Sequence, residues 1–87
     1  SADKYINLSL AYYKKGLFIK AIEACNKALE INPNLPIAYN NMCSALNQLK
    51  KWEEAEAACL KAVELDANYQ LAKNNLRWAQ TELRKTK

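Results

Sequence analysis

Shifting this chain by 34 residues brings identical residues into register: Tyr5 onto Tyr39, Ala21 onto Ala55, Ala24 onto Ala58, Cys25 onto Cys59, Lys27 onto Lys61, Ala28 onto Ala62, Glu30 onto Glu64 and Asn34 onto Asn68. Two positions carry one residue type three times, Asn7/Asn41/Asn75 and Ala11/Ala45/Ala79, and Leu8, Met42 and Leu76 are near-equivalents. A period of this length gives each unit one helix pair. A pair that cannot bury its own apolar face has to stack on the next. The spacing therefore predicts an all-α fold, an α-solenoid of antiparallel helix pairs with about five helices.

In the first unit a helix is expected over about 3–15, with Gly16 supplying a left-handed turn. The second helix, over about 18–31, is broken by Asn32-Pro33-Asn34, and Pro36 suits the first turn of the next helix. The second unit carries Lys50 in the place of Gly16, a change that costs ~1 kcal/mol if φ is positive there. Its second helix, over 52–65, ends at Asp66-Ala67-Asn68, and the third segment has room for one helix only. The chain reads as a single domain over 1–87, with repeat one at 2–35, repeat two at 36–69 and a capping helix at 70–87.

Composition narrows the function. One Gly and two Pro argue against a turn-rich β protein, and a hydrophobic content of 51% excludes disorder. No apolar run approaches the roughly 18 residues needed to span a bilayer. The opening Ser-Ala-Asp-Lys-Tyr does not read as a signal peptide, and a start without Met is what is expected of a processed or excised chain. The three cysteines share no Cys-x-x-Cys spacing and the chain has no His, so a zinc site or a Cys–His nucleophile is not expected. Each cysteine falls on an apolar helix face and is expected to be a reduced core thiol, which favours the cytoplasm. The formal charge of +4 gathers in part at Arg84, Lys85 and Lys87, read as a solubilising end. No aromatic-interleaved basic patch accompanies it, so neither nucleic acid nor membrane is expected as a partner. With no glycine-rich phosphate loop and no metal-ligand cluster, the chain reads as a non-enzyme without cofactor or metal. Glu53, Glu54 and Glu56 read as the solvated face of a helix.

The residues Tyr5, Leu8, Ser9 and Tyr12, then Gly16, Phe18 and Ala21, then Ala28 and Pro33 resemble the tetratricopeptide repeat. The second unit follows with Tyr39, Met42, Cys43, Leu46, Trp52, Ala55 and Ala62, with Ala67 where the motif has proline. The resemblance covers essentially the whole chain. It implies a solenoid whose first helices (A) line a concave groove, and a role in binding peptides or building multiprotein complexes.

Helical geometry sorts each A helix into three faces independently of the resemblance. One stripe (Ala38, Met42, Ala45 and Leu49, then Ala72, Leu76, Ala79 and Leu83) is expected to pack on the preceding second helix (B). Another (Tyr5, Ser9 and Tyr12, then Tyr39, Cys43 and Leu46) is expected to face the helix B of its own unit. In the third segment that stripe becomes Lys73, Arg77 and Gln80, polar where a following helix would sit, so this helix reads as a cap. The remaining stripe packs on neither neighbour and is expected to line the groove.

Asn7, Asn41 and Asn75 fall on that stripe, with Asn40 and Asn74 beside the latter two. A primary amide offers both donor and acceptor, so such rungs can pair with the main chain of an extended peptide. The three resemble the asparagine ladder of the repeat domain of O-linked GlcNAc transferase. Ile6, Leu10, Ile37, Leu71 and Trp78 lie around them and are expected to form apolar pockets, with Trp78 as an interface anchor.

Some chaperone-binding members of the family use a carboxylate clamp of Lys, Asn, Asn, Lys and Arg. The matching places here are Ile6, Leu10, Asn41, Leu71 and Asn75, of which only Asn41 fits, so binding of chaperone tails by such a clamp is not expected. The resulting expectation is a scaffold that binds a protein or peptide segment in its groove. The alternative is a self-association or assembly module of a larger multidomain protein, forming homo-oligomers.

Overall fold

In the computed structural model, which describes residues 1–86, the chain forms five α-helices: α1 (Ala2–Lys14), α2 (Phe18–Ile31), α3 (Pro36–Gln48), α4 (Trp52–Leu65) and α5 (Gln70–Lys85). No strand occurs among the described residues. Lys87, counted above in the basic end and in the last segment, lies outside the described residues. None of the helices is long and apolar enough to cross a membrane.

The two helix pairs close through the same turn. Gly16 takes φ 77° and Leu17 N–H returns to the Tyr12 carbonyl at 2.9 Å. In the second unit Lys50 takes φ 61° and Lys51 N–H returns to the Leu46 carbonyl at 2.9 Å. The hydrogen-bond pattern rather than the residue sets this turn, and Lys50 carries the left-handed strain that Gly16 avoids. The links between units are also equivalent. Asn34 N–H bonds to Asn32 Oδ1, and Asn68 N–H bonds to Asp66 Oδ1, so an Asx turn stops helix B whether proline follows or not.

Each helix touches its sequence neighbours, and α3 also touches both α1 and α5. The A helices thus form one layer and the B helices the other. Alanine does much of the packing: Ala28 and Ala38 meet between α2 and α3, and Ala55, Ala58 and Ala79 meet between α4 and α5, where small side chains let the helices approach closely. Ile22, Met42 and Leu76 pack against the cluster that holds Ala55, Ala58 and Ala79.

The cysteines differ from the sequence expectation. Cys43 on α3 and Cys59 on α4 are joined by a disulfide, with their Cα atoms 5.5 Å apart, and only Cys25 is a free, buried thiol. Weighed singly, each cysteine lies on an apolar face. The repeat register, however, makes Cys43 and Cys59 face each other across one helix pair, close enough to bond. With two of the three thiols paired, the cysteines no longer point to a reducing compartment. In the first unit the same two places hold Ser9 and Cys25, which cannot cross-link.

Candidate functional site

The A-helix layer encloses a pocket of about 250 Å³. Ser9, Leu10 and Tyr13 line it from α1, Asn40, Asn41 and Ser44 from α3, and Leu71 and Asn75 from α5. Leu10 and Leu71 remain exposed and form its apolar walls, while amides and hydroxyls form its floor.

The two central amides are anchored by the helix before them. Asn41 Nδ2 donates to Ser9 Oγ at 3.2 Å, and Ser9 Oγ in turn donates to the Ile6 carbonyl at 2.7 Å. Asn75 Nδ2 donates to Asn40 Oδ1 and to Ser44 Oγ, both at 3.0 Å. These bonds decide what each amide can still offer a ligand. Asn75 has both N–H groups engaged, so its Oδ1 is left as an acceptor only. Asn41 retains one N–H and its Oδ1, and can both donate and accept.

Asn7, expected as a third rung, is exposed and makes no side-chain hydrogen bond among the described residues. Only two of the three asparagines are therefore held in place. Ile6 is a correction to the expected groove list: it is buried in the core with Ala28 and Ala38. Asn40 occupies the equivalent place on α3 and is buried too, accepting from Asn75 and facing Tyr69. The residue at this place in each A helix is covered by the next A helix: α3 covers Ile6 and α5 covers Asn40. Asn74, which no described helix covers, is exposed and accepts from Gln70 at 2.9 Å. Ile37 is exposed on α3 outside the pocket lining.

Trp78 packs on Trp52, with ring centroids 5.9 Å apart, yet 38% of it stays exposed. It does not line the pocket itself. Gln80, expected on the outer polar face, donates instead to Glu56 of α4 at 3.3 Å.

Tyr13 was not foreseen in the groove. Its hydroxyl accepts from Gln48 at 3.0 Å, and its ring meets Phe18 edge-on at 5.3 Å. The same place in the other units holds Asn47 and Thr81, so no repeated identity marks it. Burial pushes the Tyr69 hydroxyl above its ordinary pKa, the facing Asn40 side chain opposes this, and Asp66 adds to it. No group of three or more metal-ligating side chains occurs among the described residues.

Two profiles described as tetratricopeptide repeat match residues 2–35 and 37–69. An uncharacterized protein of Methanocaldococcus jannaschii is 40% identical over 60 residues, covering 61% of this chain and 70% of that protein. Among solved structures, the second TPR of Spaghetti (RPAP3) bound to the HSP90 peptide SRMEEVD aligns with TM-score 0.93 and 27% identity, covering 97% of this chain and 78% of that one. The TPR2B domain of yeast Sti1 in its pHsp70 complex aligns with TM-score 0.92 and 27% identity, covering 97% and 67%.

These neighbours correct the expectation that set chaperone tails aside. Domains with nearly the same backbone are found with HSP90 and Hsp70 partners. The expectation scored five side chains by position. One of them, Ile6, is buried and does not face the groove, while Asn75, scored as a mismatch, is an anchored amide of the pocket lining. Residue identity at those five places was a poor measure of the surface a peptide meets.

Proposed function

This chain belongs to the tetratricopeptide repeat family, and we propose that it holds an extended peptide segment along the groove formed by α1, α3 and α5. Domains of this family are protein–protein interaction modules, generally scaffolds rather than enzymes. The observation that carries the reading is the pair of anchored amides, Asn41 and Asn75, between the exposed apolar walls Leu10 and Leu71. An extended strand presents N–H and C=O groups alternately, and it sends side chains to either side. Asn75 Oδ1 takes a main-chain N–H, Asn41 takes either group, and an apolar ligand side chain enters between the leucines.

The HSP90 peptide SRMEEVD, held by the similar RPAP3 domain, is the first probe. The net charge of +4 favours an acidic ligand on approach, and Lys14 stands exposed at the end of the α1 groove stripe. Titration of isotope-labelled protein with this peptide, followed by amide resonances, tests the site. Shifts centred on Asn41, Ser44, Leu71 and Asn75 support it; shifts confined to α2 and α4 contradict it.

Self-association by end-to-end stacking is disfavoured by charge. Lys4 and Lys15 stand exposed on the open side of α1, and Lys73 and Arg77 lie on the outer side of α5, so stacking would bring like charges together.

A further inference from the structure

We propose that the Cys43–Cys59 bond is a redox latch on the groove, acting on Asn75 through Asn47. Cys43 and Cys59 have no exposed surface and lie in the cluster that α5 closes with Ala79. One turn beyond Cys43, Asn47 is also buried, with its Nδ2 3.9 Å from Cys43 Sγ. The same Nδ2 donates to the main-chain carbonyl of Asn75 at 3.0 Å. Asn75 is the residue whose side chain is bonded to Asn40 and Ser44 on the pocket floor. The sulfurs, the Asn47 amide and the groove amide are thus in unbroken contact.

A second observation gives the latch two states. Asn47 Oδ1 is buried and has no donor. A disulfide carries no hydrogen to offer it; a thiol at Cys43 brings an S–H donor, and because Nδ2 faces that sulfur the amide has to turn for Oδ1 to meet it, which takes Nδ2 from the Asn75 carbonyl. Reduction also replaces a covalent bond by van der Waals separation of two sulfurs inside a packed core, so α3, α4 and Asn47 have to readjust. The first unit serves as an internal reference. Ser9 stands in the place of Cys43, holds Asn41 directly through its hydroxyl, and cannot be switched.

The reaction is an exchange with an external dithiol. Its thiolate attacks one sulfur of the pair and forms a mixed disulfide, releasing the other cysteine as a thiolate that takes a proton. The reductant's second thiolate then displaces the remaining cysteine, which is protonated in turn. Two electrons and two protons pass to Cys43 and Cys59, and the reductant leaves as a cyclic disulfide. Because neither sulfur is exposed, the exchange follows local opening of the helices around them.

Titrating the labelled protein with dithiothreitol tests the proposal without any peptide, so the outcome is separable from that of the groove's ligand. The thiol count should rise from one to three. The Asn75 and Ser44 resonances should move with the same midpoint, while Asn41 and Ser9 stay still. The Cys25→Ala variant should keep the response, and Asn47→Leu should keep the change in thiols while Asn75 no longer follows. Three thiols in the untreated protein, or a count reaching three with Asn75 unmoved, would overturn the proposal.

Discussion

Asn47 on α3 donates its side-chain amide to the main-chain carbonyl of Asn75 on α5 at 3.0 Å. The bond ties together the two helices that hold most of the pocket's polar floor, and it comes from a side chain only 1% exposed. The bond is bought with an orphan, since the oxygen of the same amide has no donor. Asn47 therefore orients α5 on α3 more than it stabilises the fold.

Replacing Asn47 tests that division. Asn47→Ala removes the bond and leaves a cavity, and should destabilise by about 2 kcal/mol in urea denaturation. Asn47→Leu fills the space and removes the orphan, so it should cost less than the alanine change. Equal losses would show that the orphaned oxygen carries no penalty.

The turn at Lys50 offers a gain. With φ at 61°, the side chain holds the backbone where only glycine is unstrained. Lys50→Gly should raise stability by about 1 kcal/mol, seen as a higher midpoint in thermal unfolding. Gly16→Ala, at φ 77°, should lower it by a similar amount.

The repeat register predicts a second cross-link. Ser9→Cys places a thiol opposite Cys25, as Cys43 stands opposite Cys59. Under oxidising conditions the variant should lose its last free thiol and gain up to about 3 kcal/mol. A variant that keeps two free thiols after oxidation would show that the first helix pair is spaced differently from the second.

Cys25 makes the fold sensitive to alkali. Burial raises its pKa from 9.0 to about 11, with the neighbouring Ser9 side chain partly opposing. The folded value lies above the unfolded one, so this contribution is fully present below pH 9 and is lost as pH rises through about 11. The unfolding free energy from urea denaturation should fall over that window, by a total of about 2–3 kcal/mol. Cys25→Ala should remove this part of the decline, and the native thiol should resist alkylation near pH 8.

Much of the fold was legible because helix formation and stacking repeat at fixed intervals. The 34-residue register, Gly16 and the breaks at Asn32-Pro33-Asn34 and Asp66-Ala67-Asn68 place α1, α2 and α4 within about a residue of where they lie and start α3 at Pro36. The site was less legible, for reasons visible in single residues. A helical wheel puts Ile6 and Asn40 on the groove stripe, but it does not see the next A helix, which buries both. It likewise does not see the preceding A helix, which anchors Asn41 and Asn75. Tyr13 shares its place with Asn47 and Thr81, so the repeat that revealed the fold was silent about it.

The most direct measurement of the groove's role is the affinity of labelled SRMEEVD peptide for the wild type and for three variants, followed by fluorescence anisotropy. Asn41→Ala and Asn75→Ala should each weaken binding by about tenfold, a loss of about 1.4 kcal/mol. Leu60→Ala, at an exposed place on α4 away from the groove, should leave it unchanged. If the peptide binds and Leu60→Ala weakens it while both asparagine variants do not, the groove is not the binding site.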